Sequence, residues 1–441
     1  MKQIIYLLLI SVFLLSSVFY FLPIFIDTSP SHIFNTLTEA QQYAEQLDEY
    51  PPIDNTTWAN PDYGKFLKRL VPTGLDEFMY TFKIKPWPLW HIQGFDELLS
   101  KVVNERENDG YIGRFILKMN PLKGSSFIIW GDLQGAFHSL IRTLVELKIN
   151  NVINDHFEIM KPYVYFVFNG DAIDRSPFSL EVLSVIMRLM DRNPNKVFYI
   201  RGNHEDREHW KNFNLKRNLI IRAASVSDEG IPLGTKISKF FNTLPLALYL
   251  IGQEDEESMN IVRISHFDRS STELDEENFS GFFQRSGGRE VATFKLSNEI
   301  NSGEKKINVR AIIKGESRST TYRPTLGLSQ LEADKGATAW TMLSSPTETY
   351  RHLQDFYFDT FAVLDIGKKL NEWMITLYNQ DVRELLGFKK VAMYNLVTGL
   401  RDFKTERSQV VDDSFIQVKR ELQNVAEKQQ ELRDMCPAAA K

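Results

Sequence analysis

Gly-Asp-Leu-Gln-Gly (Gly131 to Gly135), Gly-Asp-Ala-Ile-Asp-Arg (Gly170 to Arg175) and Arg-Gly-Asn-His-Glu (Arg201 to Glu205) each follow a β-branched and aromatic run: Phe127 to Trp130, Tyr163 to Phe168 and Lys196 to Ile200. Such runs read as buried strands, so the polar residues emerge where the strands end. Strand ends are where open α/β sheets keep their ligands.

Outward from these runs, the chain repeats strand, loop and helix units from Ser125 onward, which predicts an α/β fold. Further strands are expected at Asn260 to Ser265, Asn308 to Ile313, Ala337 to Leu343, Thr360 to Asp365 and Glu372 to Leu377. Upstream, Asn35-Thr36-Leu37-Thr38-Glu39 has the form of a capped helix start, with the helix running to Tyr50 before Pro51-Pro52 stops it. A second helix is expected near Phe95 to Asn108, after the stretch Lys85-Pro86-Trp87-Pro88-Leu89-Trp90. Residues 27–124 read as a helical stalk and cover, 125–398 as the main α/β domain and 399–441 as a charged helical tail.

The amino terminus, residues 1–26, carries an uncharged apolar stretch from Ile4 to Ile26 after Lys2. That is long enough to span a bilayer as a helix and predicts an uncleaved single-pass signal anchor. The alternative is a cleaved signal peptide, with the remainder secreted; against it, Phe19 to Ile26 stays bulky where a cleavage site needs small residues. In the tail, Val411, Phe415, Val418, Leu422, Val425 and Leu432 follow a heptad seam broken at Gln429. It either self-associates or binds a partner as a coiled coil, or packs on the chain's own domain.

Composition narrows the function classes. Across 441 residues, 43% hydrophobic and 25% charged side chains fit a globular core. A formal net charge of -5 gives no basic footprint for nucleic acid, so none is expected as partner. The one cysteine, Cys436, excludes an intrachain disulfide and a cysteine-based zinc site.

Singly, Asp132, Asp171 and Asn203 are the turn-formers that strands often end on. Their order, with His204 and His266, is more specific. The chain here resembles the phosphoprotein phosphatase family of metallophosphoesterases, the Ser/Thr phosphatase type, whose motifs read Gly-Asp-x-His-Gly, Gly-Asp-x-x-Asp-Arg-Gly and Gly-Asn-His-Glu. Ile264-Ser265-His266, Arg289 before a Val-x-x-Phe run, and Thr341-Met342-Leu343-Ser344-Ser345-Pro346 extend the resemblance, which covers about Ser125 to Leu377. It implies a β-sandwich flanked by helices and two divalent cations that clamp the phosphate and acidify a bridging water. It implies Asp171 as bridging ligand, Asp132 as a ligand of the first metal, and Asn203 and His266 as ligands of the second. Arg175 and Arg289 would grip phosphate oxygens through forked hydrogen bonds. His204 would be the general acid, oriented by Asp174.

Three positions depart from the family. Gln134 stands where the first motif has its metal-binding histidine, and Glu316, in Lys314-Gly315-Glu316, where a second late histidine is usual. Both remain oxygen donors, which shifts the centre toward Mn²⁺ or Mg²⁺ and away from Zn²⁺, with Fe or Zn²⁺ as alternatives. Mn²⁺ is predicted. An extra anionic ligand also makes the bridging water less acidic, so the activity optimum is expected to be more alkaline than in relatives. Ser176-Pro177 replaces the glycine after Asp-Arg, and Tyr350 is a candidate to line the site.

The resulting expectation is a membrane-anchored, divergent protein phosphatase acting on phosphoserine, phosphothreonine or phosphotyrosine in a phosphoprotein substrate. By analogy, an anchor, a helical cover and a divergent site also suit a bacterial effector phosphatase at a host membrane. The alternatives are a dinucleoside polyphosphate hydrolase and a catalytically dead phosphoprotein-binding pseudophosphatase.

Overall fold

A computed structural model describes residues 33–47, 49, 92–113, 115–206, 209–222, 233–254, 258–266, 283–285, 289–292, 306–315, 327–334, 337–346 and 357–402. Ile4 to Ile26, Lys85 to Trp90, Glu316, Tyr350 and the tail from Lys404 to Met435 lie outside the described residues. Among those described, no helix is long and apolar enough to cross a membrane.

Helices α1 (Leu37–Glu45) and α2 (Ile92–Asn108) precede strand β1 (Ile116–Met119). The α1 start follows its sequence: Thr36 Oγ1 accepts the Glu39 N–H at 3.1 Å, and Glu39 Oε2 accepts the Thr36 N–H at 3.1 Å. This reciprocal cap satisfies two donors that a helix start leaves open. The helix ends at Glu45 instead of Tyr50. His138 Nε2 takes the carbonyls of Ala44 at 3.0 Å and Leu47 at 3.2 Å, so a partner side chain terminates the helix before the prolines can.

The catalytic body continues as β2 (Ser126–Trp130), α3 (Phe137–Ile149), β3 (Val164–Phe168), α4 (Ser179–Arg192), β4 (Val197–Tyr199), α5 (Asn214–Arg222) and α6 (Gly234–Asn242). Eight of the remaining strands are β5 (Ala247–Glu254), β6 (Ser258–Ile264), β7 (Phe283–Arg285), β8 (Arg289–Ala292), β9 (Lys306–Lys314), β10 (Leu328–Asp334), β11 (Ala337–Met342) and β12 (Phe358–Asp365). The last two are β13 (Met374–Asp381) and β14 (Lys389–Asn395).

The strands form two sheets. One has the order β14-β13-β12-β2-β3-β4, the other β10-β11-β9-β6-β5-β1-β8-β7. Strands β2, β3 and β4 run parallel, joined through α3 and α4. Long connections through a helix are what parallel pairing requires. The register of β2 on β3 is fixed by aromatic neighbours: Phe127 stacks on Tyr165 at 4.9 Å and Trp130 on Phe168 at 4.7 Å. Pairs of this kind contribute about 0.5–1.5 kcal/mol each beyond burial. A one-residue slip would break both and separate the loops that follow. Side chains of both sheets share one buried core that includes Phe127, Trp130, Phe166, Ile264, Ile313 and Trp340.

Strand β1 corrects the expectation that everything before Gly124 is helical cover. It pairs parallel with β5 and antiparallel with β8, so it is an interior strand of the eight-stranded sheet. Its four residues are too few to show an alternation of their own, and its partners lie far downstream.

Candidate active site

The three motif loops and the β6 end meet at one edge of the two sheets. Gly131 makes this possible, because a Cβ there would run into the Met342 carbonyl. Just beyond it, Asp132 bridges to Leu343, the Gly131 N–H donates to Ser344 Oγ at 2.8 Å, and Ser345 Oγ donates to the Leu133 carbonyl at 2.9 Å. The Thr341 to Pro346 segment thus holds the first motif loop in place.

Asp132, Gln134, Asp171, Asp174, His204 and His266 are all buried. His266 is the hub. Its Nδ1 lies 2.9 Å from the Asn169 carbonyl and 3.7 Å from Asp132 Oδ1, while Nε2 lies 3.0 Å from Asn203 Oδ1 and 3.3 Å from Asp171 Oδ2. A carbonyl on Nδ1 fixes that proton and leaves Nε2 as the nitrogen that faces the other donors. Burial alone would lower the His266 pKa, but Asp171, then Asp132 and Glu205, push it up to about 10. Burial would likewise raise Asp171, and the His266 charge and hydrogen bond hold it at about 2.

The second dyad stands beside the first. His204 Nδ1 is 2.7 Å from Asp174 Oδ2, its backbone N–H donates to Asp171 Oδ1 at 3.0 Å, and its Nε2 is 3.9 Å from Asp171 Oδ2. Asp174 Oδ1 also accepts the Leu215 N–H at 2.7 Å. Burial works against charging the ring, yet the Asp174 bond and the Asp171 and Asp174 charges raise its pKa to about 9. Phe213, 40% exposed, lies with its ring 4.8 Å from that of His204.

Four non-glycine residues here have left-handed backbones: Gln134 (φ 52), Asp171 (φ 46), Asp174 (φ 70) and Arg175 (φ 55). Backbone of that kind is costly and clusters at functional sites. The turn survives without the family's glycine because the Ser176 N–H donates to the Asp174 carbonyl at 2.5 Å and the Asp174 N–H to Ser179 Oγ at 2.9 Å. Arg175 is half-buried next to His204, whose charge it opposes.

The donor set suits divalent cations. Two carboxylates, the Asn203 amide and the His266 imidazole converge, and Gln134 Oε1, in the same motif loop as Asp132, is a buried acceptor with no hydrogen bond. Hard oxygen donors of this kind favour Mn²⁺ or Mg²⁺. Among the described residues, no three His, Cys, Asp or Glu side chains make a metal site by themselves. Glu316 lies outside the described residues, but its neighbour Gly315 sits in the cluster, where an added Cβ would come within 2.5 Å of both Asp132 Oδ1 and His266 Nδ1.

Arg289 begins β8. β8 pairs with β1 so that Glu290 faces Lys118, and β1 pairs with β5 so that Met119 faces Leu250, which faces Val262. Arg289 is therefore level with Val262, about 13 Å back along the strands from His266 at ~3.3 Å per residue, and three strands across. Sequence reasoning passed over Glu205, which sits in a motif it quoted, and Tyr199, which looks like any strand residue.

Residues 125–309 match the family model described as calcineurin-like phosphoesterase. A serine/threonine-protein phosphatase of Arabidopsis thaliana, BSL2, is 34% identical over 119 residues, 27% of this chain and 11% of that protein. The PP2A-like serine/threonine-protein phosphatase PPG1 of Candida albicans is 29% identical over 131 residues, 29% of this chain and 27% of that protein. A solved protein serine/threonine phosphatase from Saccharomyces cerevisiae with similarity to human phosphatase PP5 is 20% identical, covering 61% of this chain and 81% of that one with a TM-score of 0.38. The chain spans between 11% and 37% of the length of the curated relatives it matches.

Proposed function

We propose, from the calcineurin-like phosphoesterase domain over residues 125–309, that this chain is a metal-dependent phosphomonoester hydrolase acting on phosphoserine or phosphothreonine in proteins, with phosphotyrosine as a further substrate. The convergence of Asp132, Asp171 and His266, with separations of 3.7 and 3.3 Å, beside the Asp174–His204 pair carries this reading. The phosphatase names of the relatives favour a phosphoprotein over a nucleotide.

Asp171, Asp132, Gln134, Asn203 and His266 would hold the divalent cations; Glu316 is a further candidate. Bound there, such ions supply Lewis acidity to the phosphate and a water acidic enough to attack near neutral pH. Arg175 holds phosphate oxygens through its forked N–H groups. His204 delivers its Nε2 proton to the leaving alkoxide, and Asp174 keeps the ring turned for that transfer. No side chain is phosphorylated in this scheme.

Phosphate release from p-nitrophenyl phosphate and phosphopeptides with Mn²⁺, lost in Asp171→Asn, is the expected result. Cleavage of a dinucleoside tetraphosphate but of no phosphopeptide would reassign the chain to nucleotide hydrolysis. Gln134, in place of the family's metal-binding histidine, favours one second reading, a pseudophosphatase that binds phosphoproteins without turnover. Tight phosphopeptide binding without any hydrolysis would decide for it. We also propose Ile4 to Ile26 as a single-pass anchor; carbonate release of a chain shortened at its amino terminus would instead favour a cleaved signal.

A further inference from the structure

We propose that Tyr199 and Glu205 form a buried brace that positions the Asp171 carboxylate and thereby sets the affinity of the centre for divalent metal. The inference rests on the proposed role of Asp171 as a ligand. Glu205 is 0% exposed, and each of its oxygens takes two donors. Oε1 accepts the Tyr199 hydroxyl at 2.8 Å and the Ala172 N–H at 3.0 Å; Oε2 accepts the Gly202 N–H at 2.8 Å and the Asp171 N–H at 2.9 Å. Four donors on two oxygens suit an ionised carboxylate, which offers acceptors only. A neutral amide in its place would turn an NH₂ group toward N–H groups, leaving buried donors facing one another.

Three of those donors are backbone N–H groups from two different turns. Asp171 and Ala172 follow β3, and Gly202 follows β4, so one side chain ties together the loops that carry Asp171 and the Asn203–His204 pair. Asp171 needs such a tie because its φ of 46° is left-handed, a conformation that persists only where surroundings over-determine it. Gly202 allows the approach, since a Cβ there would collide with Asp171 Oδ1 and lie 2.6 Å from Glu205 Oε2. With its backbone fixed, Asp171 offers Oδ1 to the His204 N–H at 3.0 Å and Oδ2 toward His266 Nε2 at 3.3 Å. Tyr199 completes the arrangement: its ring is buried near Phe168 and Phe240, and its hydroxyl is the side-chain donor to Glu205. Partners that orient metal ligands typically change metal affinity when removed.

The test is a Mn²⁺ titration of chelator-treated full-length protein, followed by calorimetry and electron paramagnetic resonance, on wild type, Tyr199→Phe and Glu205→Gln. Tyr199→Phe should weaken binding several-fold and Glu205→Gln by roughly 10–100-fold. Excess Mn²⁺ should restore turnover of p-nitrophenyl phosphate in Tyr199→Phe, a rescue that a merely structural defect would not give. Amide exchange in the metal-free protein reads the brace separately: protection should fall at Asp171, Ala172 and Gly202 and hold at Phe127 to Trp130. Unchanged Mn²⁺ affinity in both variants overturns the proposal, whether or not amide protection falls. If wild type takes up no Mn²⁺, the metal-centre reading fails, and exchange alone then decides whether the brace positions Asp171. Should Glu205→Gln not fold, the near-isosteric Tyr199→Phe decides alone.

Discussion

Asp174 holds the His204 ring from behind, its Oδ2 2.7 Å from Nδ1 while its Oδ1 takes the Leu215 N–H at 2.7 Å. With one carboxylate oxygen on the ring and the other on the start of α5, the imidazole is fixed in both tautomer and direction, and Nε2 carries the proton that faces the site. The Asp174 bond is the leading cause that raises the ring above its ordinary value, against burial, to about 9. Only the protonated ring donates, so activity that needs this proton is present below that pKa and is lost as pH rises through it. Bound dications would offset the Asp171 charge and move the limb downward.

Asp174→Asn should therefore cut kcat on phosphoserine peptides by roughly 10²-fold or more, the scale of general acid catalysis. On p-nitrophenyl phosphate, whose leaving group needs little protonation, the loss should be much smaller. The basic limb of the pH–rate profile should also move to lower pH. Equal losses on both substrates, with an unmoved limb, would count against His204 as the acid.

Gln134 tests the choice of metal. Its amide oxygen is buried, accepts no hydrogen bond and belongs to a residue held at φ 52. Gln134→His exchanges a hard oxygen for an imidazole nitrogen, the donor that suits Zn²⁺ and Fe. Purified Gln134→His should carry more Zn or Fe and less Mn by elemental analysis, and its Mn²⁺-supported turnover should drop. An unchanged metal content would remove Gln134 from the ligand set.

How much of this was legible in the sequence follows from what each element needs. β2, β3 and β4 announce themselves through local runs of β-branched and aromatic residues, and the motif loops sit at their ends as expected. β1 has four residues and no local pattern, and β5 follows α6 so closely that its apolar run, Ala247 to Ile251, cannot be told from more helix by periodicity. The Arg289 expectation rests on motif order, which carries no information about register; that comes only from the pairing of β8 with β1. Tyr199 and Glu205 are six residues apart across a turn, and only the fold shows that the hydroxyl meets the carboxylate.

A buried ion pair ties α5 to the body. Arg222 Nη2 lies 2.6 Å and Nη1 2.9 Å from the two oxygens of Glu181 on α4, and the Tyr43 hydroxyl of α1 donates to the same carboxylate at 3.1 Å. Their side-chain exposures are 3% and 0%, so Arg222→Ala would leave an uncompensated buried carboxylate. Losses of that kind cost about 3–5 kcal/mol. Thermal unfolding of Arg222→Ala should show a drop of several degrees or more, and a double change to apolar residues, Arg222→Met with Glu181→Leu, should recover much of it. A Tm for Arg222→Ala within a degree of wild type would show the pair to be solvated.

Gly315 gives the most local test of where the site lies. A methyl group there would come within 2.5 Å of Asp132 Oδ1 and His266 Nδ1, and both residues are buried, so there is little room to withdraw. His266 is anchored to the Asn169 carbonyl at 2.9 Å, and Asp132 belongs to the loop bridged to Leu343. Gly315→Ala should accordingly displace one of these two groups while leaving the sheets intact, because the Thr341 hydroxyl bond to the Gly315 carbonyl uses backbone that an alanine retains. The expected outcome is weakened Mn²⁺ binding and reduced phosphatase activity with a near-native circular dichroism spectrum. Full metal affinity in Gly315→Ala would mean that the cations bind away from Asp132 and His266.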